Sequence, residues 1–145
     1  MKKVLTGGGF DIIHSAHIYL FQISKSFGDY LVVNVLPDQR LKDLKGDNRP
    51  ILSEKERMYI VNNIEAVDEA VCIKQNYKNI GRNDYNIQVI DEVSPDIVIM
   101  STYSEAIDNF CKGKNIELVI VPEIQGIDKV HTTDIMNKIK NLEKN

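Results

Sequence analysis

Short aliphatic runs recur along the chain with segments of helical period between them, and this alternation limits the fold more than any other feature. Residues 4–6 are apolar and lead into Gly7-Gly8-Gly9. Residues 30–36 (YLVVNVL) and 97–100 (IVIM) are apolar almost throughout, as buried strands are, and residues 116–121 (IELVIV) read as a fifth strand. Residues 70–73 form a shorter run of the same kind. Between them Ile18, Leu20, Phe21, Ile23 and Phe27 recur at helical spacing and Gly28 closes the segment. Ser53 followed by Glu56 matches a capping box, so a helix is predicted there, carrying Met58, Ile60, Val61 and Ile64 inward. Further helices are predicted over 84–93, 104–112 and 132–142. Residues 39–50 are polar and basic with a turn signal at Gly46-Asp47-Asn48, and no regular element is assigned to them. Residues 75–83 are polar and the least readable. Strands alternating with helices imply an α/β, three-layer Rossmann-like fold: a five-stranded parallel sheet with helices on both faces.

The 145 residues suit one domain with one core, and no linker, repeat or low-complexity segment divides residues 1–145. A net charge of −3 argues against a nucleic-acid coat or a polybasic membrane anchor, and leaves room for a small anionic ligand. Cys72 and Cys111 stand in apolar settings outside any CxxC pair and read as reduced thiols. Met1-Lys2-Lys3 runs into a strand pattern instead of a signal-peptide core, and no apolar stretch could span a bilayer, so the expected compartment is the cytoplasm. In parallel α/β sheets ligands bind beyond the carboxyl ends of the strands. The segments following Thr6, Leu36, Met100 and Val121 are therefore where chemistry is expected.

The first of these exits reads Gly7-Gly8-Gly9-Phe10-Asp11-Ile12-Ile13-His14-Ser15-Ala16-His17. Glycines permit a sharp turn and close backbone approach to a ligand. His14 and His17, three apart at a helix start, share a face beside free backbone N–H groups and the positive end of the helix dipole, which suits a phosphate. On spacing alone a helix cap or a surface pair competes evenly with that reading. A zinc site lacks a clear completing ligand, and no metal ligands are assigned.

The stretch GGGFDIIHSAH resembles the G-x-F-D-x-x-H-x-G-H signature of the cytidylyltransferase-like nucleotidyltransferases. That family includes glycerol-3-phosphate cytidylyltransferase, the heptose 1-phosphate adenylyltransferases of lipopolysaccharide core synthesis and archaeal FAD synthases. Residues 44–50 (LKGDNRP), with Glu56-Arg57-Met58 and Ala66-Val67-Asp68, are most similar to the heptose adenylyltransferase branch. His131-Thr132-Thr133-Asp134-Ile135 resembles the family's S-[ST]-T-x-I segment at the last helix.

The resemblance implies attack of a substrate phosphate on the α-phosphorus of a nucleoside triphosphate, with pyrophosphate leaving. Such transfer rests on positioning and electrostatic stabilisation and needs no protein nucleophile. His14 and His17 would donate to the triphosphate. Lys45, or less favourably Lys42, would neutralise charge near the α-phosphate, and Arg57 would reach the β- or γ-phosphate. Gly7, Gly8, Gly9, Phe10 and Asp11 would form the nucleotide loop, with Asp11 orienting it. Thr132 and Thr133 would hold terminal phosphates, although a plain N-cap explains them equally well. Mg²⁺ would enter with the triphosphate, held mostly by its oxygens and water.

Three departures shape the expected substrate. Ala16 stands where the signature has glycine, the loop at residues 101–105 (STYSE) lacks the usual glycine and aspartate, and residues 123–127 (EIQGI) lack an arginine. The last, with the heptose-like block, favours ATP over CTP. His131 replaces the relatives' serine and reads first as an N-cap neighbour, second as a phosphate contact. The expected partners are ATP, a phosphorylated small-molecule acceptor such as a sugar 1-phosphate, and a second copy in a homodimer. FMN as acceptor, a polyol-phosphate cytidylyltransferase and a non-catalytic nucleotide-binding protein are the alternatives.

Overall fold

The computed structural model describes residues 1–74 and 77–143. Its elements run β1 (Lys3–Gly8), α1 (Ser15–Lys25), β2 (Tyr30–Val35), α2 (Asp38–Lys45), α3 (Glu54–Asn62), β3 (Glu69–Val71), α4 (Arg82–Val93), β4 (Ile97–Met100), α5 (Glu105–Gly113), β5 (Glu117–Ile120) and α6 (Thr132–Leu142). The five strands pair in parallel in the order β3-β2-β1-β4-β5, the sheet expected from the alternation.

Side chains alternate across the sheet as the two-residue period of a strand requires. Val4, Leu31, Val33, Ile97 and Ile99 enter one core with Phe21 of α1 and Val61 of α3. Leu5, Val32 and Val98 enter the other with Tyr85, Val89 and Ile90 of α4 and Ile107 and Cys111 of α5. Burial on both faces is why these strands read as continuous aliphatic runs. Each such side chain contributes roughly 1.5–3 kcal/mol of transfer free energy. The chain winds one way through β1, β2 and β3 and the other way through β4 and β5, so the direction reverses between β1 and β4.

Ser53 is the N-cap of α3 and its hydroxyl accepts from Glu56 N at 3.3 Å, as the capping-box pattern predicts. The polar stretch at 39–50 differs from expectation, because α2 occupies its first half. Only Arg40 and Leu41 of α2 are buried, so the helix has little apolar periodicity to betray it. β3 lies slightly N-terminal of the predicted run. Of the unreadable stretch, residues 75 and 76 lie outside the described residues, and α4 begins at Arg82. Both cysteines are free, and burial pushes the Cys72 thiol up to about 11.

One buried cation ties the strand ends together. Arg57 of α3 is fully buried. Its Nη1 donates to Gly9 O at 2.9 Å and Leu36 O at 2.7 Å, its Nε to Leu52 O at 3.0 Å and its Nη2 to Asp38 Oδ1 at 2.7 Å. These partners follow β1, follow β2, precede α3 and open α2. The expectation that Arg57 reaches a β- or γ-phosphate is corrected by this geometry: four of its five N–H donors bond protein oxygens and the side chain has no exposed surface to meet a ligand. Truncating it strands three carbonyls and the Asp38 carboxylate. Arg57→Met is expected to lower unfolding free energy by about 3–5 kcal/mol, measured by urea denaturation. A loss below about 1 kcal/mol, the size of an exposed ion pair, would contradict that role.

Candidate active site

Two adjoining cavities open at the carboxyl ends of the strands. The first, about 360 Å³, is lined by Gly9, Phe10, Asp11, His14, Ala16, His17, Lys45, Arg49, Ser101, Glu123, His131, Thr132 and Thr133 among others. All 3 histidines of the chain therefore meet in one cavity. The second, about 500 Å³, is lined by Gly7, Gly8, Asn34, Arg40, Lys45, Arg82, Tyr85, Asn86, Ser101 and Thr102 over an apolar floor. Lys45 and Ser101 line both.

The loop after β1 sets the histidines. Phe10 adopts φ +52°, a left-handed conformation that turns the chain while its ring stays buried. That ring meets His17 edge-on at 5.5 Å and Phe21 at 5.0 Å, so it supports His17 from the core side. The glycines before it are needed for space. A Cβ on Gly9 would lie 2.7 Å from Leu41 Cδ2, and one on Gly8 would lie 3.0 Å from the Phe10 ring. Asp11 is buried and accepts from Leu52 N at 2.8 Å, Ile51 N at 2.8 Å and Arg49 Nε at 2.8 Å. Burial alone would raise its pKa, but the bonds from Leu52, Ile51 and Arg49 prevail and hold it below the usual carboxylate value. Asp11 thus staples the loop at 49–52 to the histidine loop.

His14 is the N-cap of α1, and its N–H donates to His17 Nδ1 at 3.2 Å. A backbone donor at Nδ1 leaves the proton of neutral His17 on Nε2. The two rings lie 4.0 Å apart, centroid to centroid. Burial, then the neighbouring His14, hold His17 down to about 4. Burial and His131 hold His14 below the ordinary imidazole value. Both rings are therefore neutral at pH 7 and offer hydrogen bonds rather than fixed charge. Fixed charge comes from Lys45 and Arg49 at the cavity wall and from the free N–H groups of the first turns of α1 and α6.

The first turn of α6 joins the same cavity. Thr132 donates its hydroxyl to Ile12 O at 3.2 Å, and Ile127 N donates to Ser15 Oγ at 2.9 Å. Gly126 packs so closely on α1 that a Cβ there would lie 2.8 Å from Ala16 N. The residue in place of the signature glycine, Ala16, is buried between this loop and the cavity.

Of the residues singled out from the sequence, His14, His17, Lys45, Thr132, Thr133, Gly9, Phe10 and Asp11 converge on the first cavity. Gly7 and Gly8 face the second. Lys42 is exposed and lines neither. Arg49, Arg40, Arg82, Glu123 and Ser101 were not anticipated as site residues, because only the folded sheet brings their segments together. Among the described residues no group of three or more His, Cys, Asp or Glu could hold a metal ion. No helix among them is long and apolar enough to cross a membrane.

Residues 5–140 match the family described as Cytidylyltransferase-like. The chain is 34% identical over 140 residues to the bifunctional protein HldE of Campylobacter fetus, covering 94% of this chain and 28% of that protein. It is 38% identical over 98 residues to the bifunctional protein HldE of Helicobacter pylori strain G27, covering 68% of this chain and 19% of that protein. It thus spans under a third of these relatives' length. Among solved structures, a lipopolysaccharide core biosynthesis protein from Thermoplasma volcanium superposes with a TM-score of 0.71 at 27% identity, over 86% of this chain and 99% of that one. Pantothenate synthetase from Thermus thermophilus shares the fold, with a TM-score of 0.64 at 12% identity over 92% of this chain and 60% of that one.

The depressed imidazole pKa of His17 has a consequence for stability. The folded value, about 4, lies below the ordinary 6.5 expected for the unfolded chain, so between these pH values the unfolded state binds more protons. The associated stability is fully present above about pH 6.5 and is lost as pH falls towards 4. Thermal unfolding across that window should show a falling midpoint in the wild type and a shallower fall in His17→Asn; parallel curves would contradict the assignment.

Proposed function

The chain belongs to the cytidylyltransferase-like family and is a nucleotidyltransferase, and from that premise we propose that it transfers AMP from ATP to a phosphorylated small molecule such as a sugar 1-phosphate. The observation that carries this reading is the pair of adjoining cavities with Lys45 on their common wall. The histidine cavity takes the triphosphate. The second cavity, whose lining has Arg40, Lys45 and Arg82 and no carboxylate, takes the acceptor with its phosphate towards Lys45.

In this arrangement an acceptor phosphate oxygen attacks the α-phosphorus. The new P–O bond forms as the bond to the α–β bridging oxygen breaks, and the electron pair leaves with pyrophosphate. His17 Nε2–H, oriented by the His14 N–H at its other nitrogen, donates to an oxygen on which charge grows. His14 donates beside it. Lys45 offsets repulsion between the acceptor phosphate and the α-phosphate. Thr132, Thr133 and the N-terminus of α6 hold the departing phosphates. The donor set suits a Mg²⁺ that arrives with the triphosphate, since Asp11 is already spent on Arg49, Ile51 and Leu52. When bound, Mg²⁺ would neutralise charge on the phosphate oxygens. The preference for ATP rests on the heptose-like block at 44–50 and the absence of arginine at 123–127. A homodimer completes the proposal; α6 leaves Ile139 and Leu142 more than half exposed.

Pyrophosphate release from ATP and from CTP, measured against a panel of sugar 1-phosphates, polyol phosphates and FMN, tests this reading. Turnover is expected with ATP and a sugar 1-phosphate, and His17→Ala is expected to lower kcat by about 10²–10³ without loss of fold. Nucleotide binding without pyrophosphate release for any acceptor would establish a non-catalytic binding protein instead. Full activity in His17→Ala would refute the role given to that ring.

A further inference from the structure

We propose that Arg40 reads a second oxyanion on the acceptor, a carboxylate or phosphate remote from the reacting phosphate, so that the acceptor is a doubly anionic phosphosugar. This rests on the nucleotidyltransferase reading of the two cavities and deepens it by naming the chemical class of the acceptor.

Arg40 of α2 is 5% exposed, yet among the described residues it forms no ion pair with a carboxylate. A buried cation is costly unless a counter-charge meets it. Arg57, the other buried arginine, has Asp38 Oδ1 at 2.7 Å. The second cavity, which Arg40 lines, offers Lys45 and Arg82 and no Asp or Glu. The donors of Arg40 are also incompletely used. Both of its hydrogen bonds leave Nη1, to Ile80 O at 2.8 Å and to Tyr77 O at 3.4 Å. Nε is buried without a partner, and Nη2 bonds to nothing among the described residues. Nε and Nη2 form one edge of the planar guanidinium, the fork that holds a carboxylate or phosphate through two parallel bonds. An oxyanion in this cavity supplies both the missing charge and the missing acceptors.

Tyr85 fixes the plane of that fork. The guanidinium carbon lies 4.5 Å from the centroid of the Tyr85 ring, which is buried. The Tyr85 hydroxyl accepts from Asn34 Nδ2 at 3.1 Å and donates to Ile73 O at 2.9 Å, so the ring is held in turn. Lys45 stands at the other end of α2, about 7.5 Å further along the helix axis. Lys45 borders the histidine cavity as well, and Arg40 does not. One anion at Lys45 and a second at Arg40 therefore suit the two ends of one small molecule. Fastening residues 77 and 80 uses Nη1 alone and requires no charge. What arginine adds is the unpartnered edge.

Calorimetric titrations with three matched sugars test this, with Mg²⁺ and an ATP analogue whose α–β bridge cannot be cleaved already bound. Glucose 1-phosphate has a neutral far end, glucuronic acid 1-phosphate a carboxylate there and glucose 1,6-bisphosphate a second phosphate. At least one of the doubly anionic sugars is expected to bind the wild type roughly tenfold or more tightly than glucose 1-phosphate, the scale of a hydrogen bond between charged groups. Which of the two binds tighter identifies the oxyanion. Arg40→Met is expected to erase that ratio, and Arg40→Lys, which keeps the charge without the fork, to retain part of it. Wild-type affinities that do not differ among the three sugars, absent binding included, would overturn the proposal. So would an Arg40→Met variant that weakens all three by the same factor, the signature of a purely structural residue. Failure of the wild type to bind the ATP analogue would overturn the nucleotidyltransferase reading beneath it; bound analogue with indifference to the second anion would overturn the role of Arg40 alone.

Discussion

The buried guanidinium of Arg57 is the interaction on which the strand-end architecture depends. A cation removed from water is tolerated only when its donors are satisfied and its charge is offset. Here the carbonyls of Gly9, Leu36 and Leu52 and the carboxylate of Asp38 meet that demand together. Gly9 follows β1, Leu36 follows β2, Asp38 opens α2 and Leu52 precedes α3. Satisfying one charge therefore fixes the exits of β1 and β2, the start of α2 and the approach to α3. Asp11 adds a second tie between the histidine loop and residues 49–52. Lys45 and Arg49 reach the cavity wall from a segment fastened at both ends.

On this frame the chain brings the N-termini of two helices to one cavity. α1 contributes His14 and His17, and α6 contributes His131, Thr132 and Thr133. The Thr132 hydroxyl on Ile12 O and the Ile127 N–H on Ser15 Oγ tie the two ends together. Partial positive charge from two helix ends and neutral imidazole donors are the features that the proposed triphosphate would meet there. The low pKa of His17 follows from burial against Phe10 and the closeness of His14, and it keeps the ring a directed donor with its proton on Nε2. The second cavity, with Arg40, Lys45 and Arg82, supplies the cationic wall on the other side of Lys45.

The sheet was legible because burial on both faces leaves uninterrupted aliphatic runs, as at Val32 and Val33, whose side chains enter opposite cores. α6 occupies the segment where the last helix is predicted, 132–142. α2 was not legible, because a mostly exposed helix that buries only Arg40 and Leu41 has almost no apolar period. The glycines at 7–9 were read as conformational freedom, yet the left-handed residue is Phe10, and Gly9 is small because Leu41 lies where its Cβ would be. Arg57 shows a deeper limit. Its position in a motif does not reveal whether its donors face a ligand or the backbone carbonyls around it, since those carbonyls come from segments up to 48 residues away. Arg49, Arg82 and Glu123 were missed for the same reason: each becomes a wall of a cavity only when strand exits distant in sequence are set side by side.

The central claim is that the triphosphate lies between the first turns of α1 and α6 with its α-phosphate at His17. A crystal structure with an ATP analogue whose α–β bridge cannot be cleaved tests it directly. We expect an α-phosphate oxygen within hydrogen-bonding distance of His17 Nε2 and the terminal phosphates beside Thr132 and Thr133. A nucleotide bound with its phosphates outside this crevice, or a His17 ring turned away from them, would contradict it.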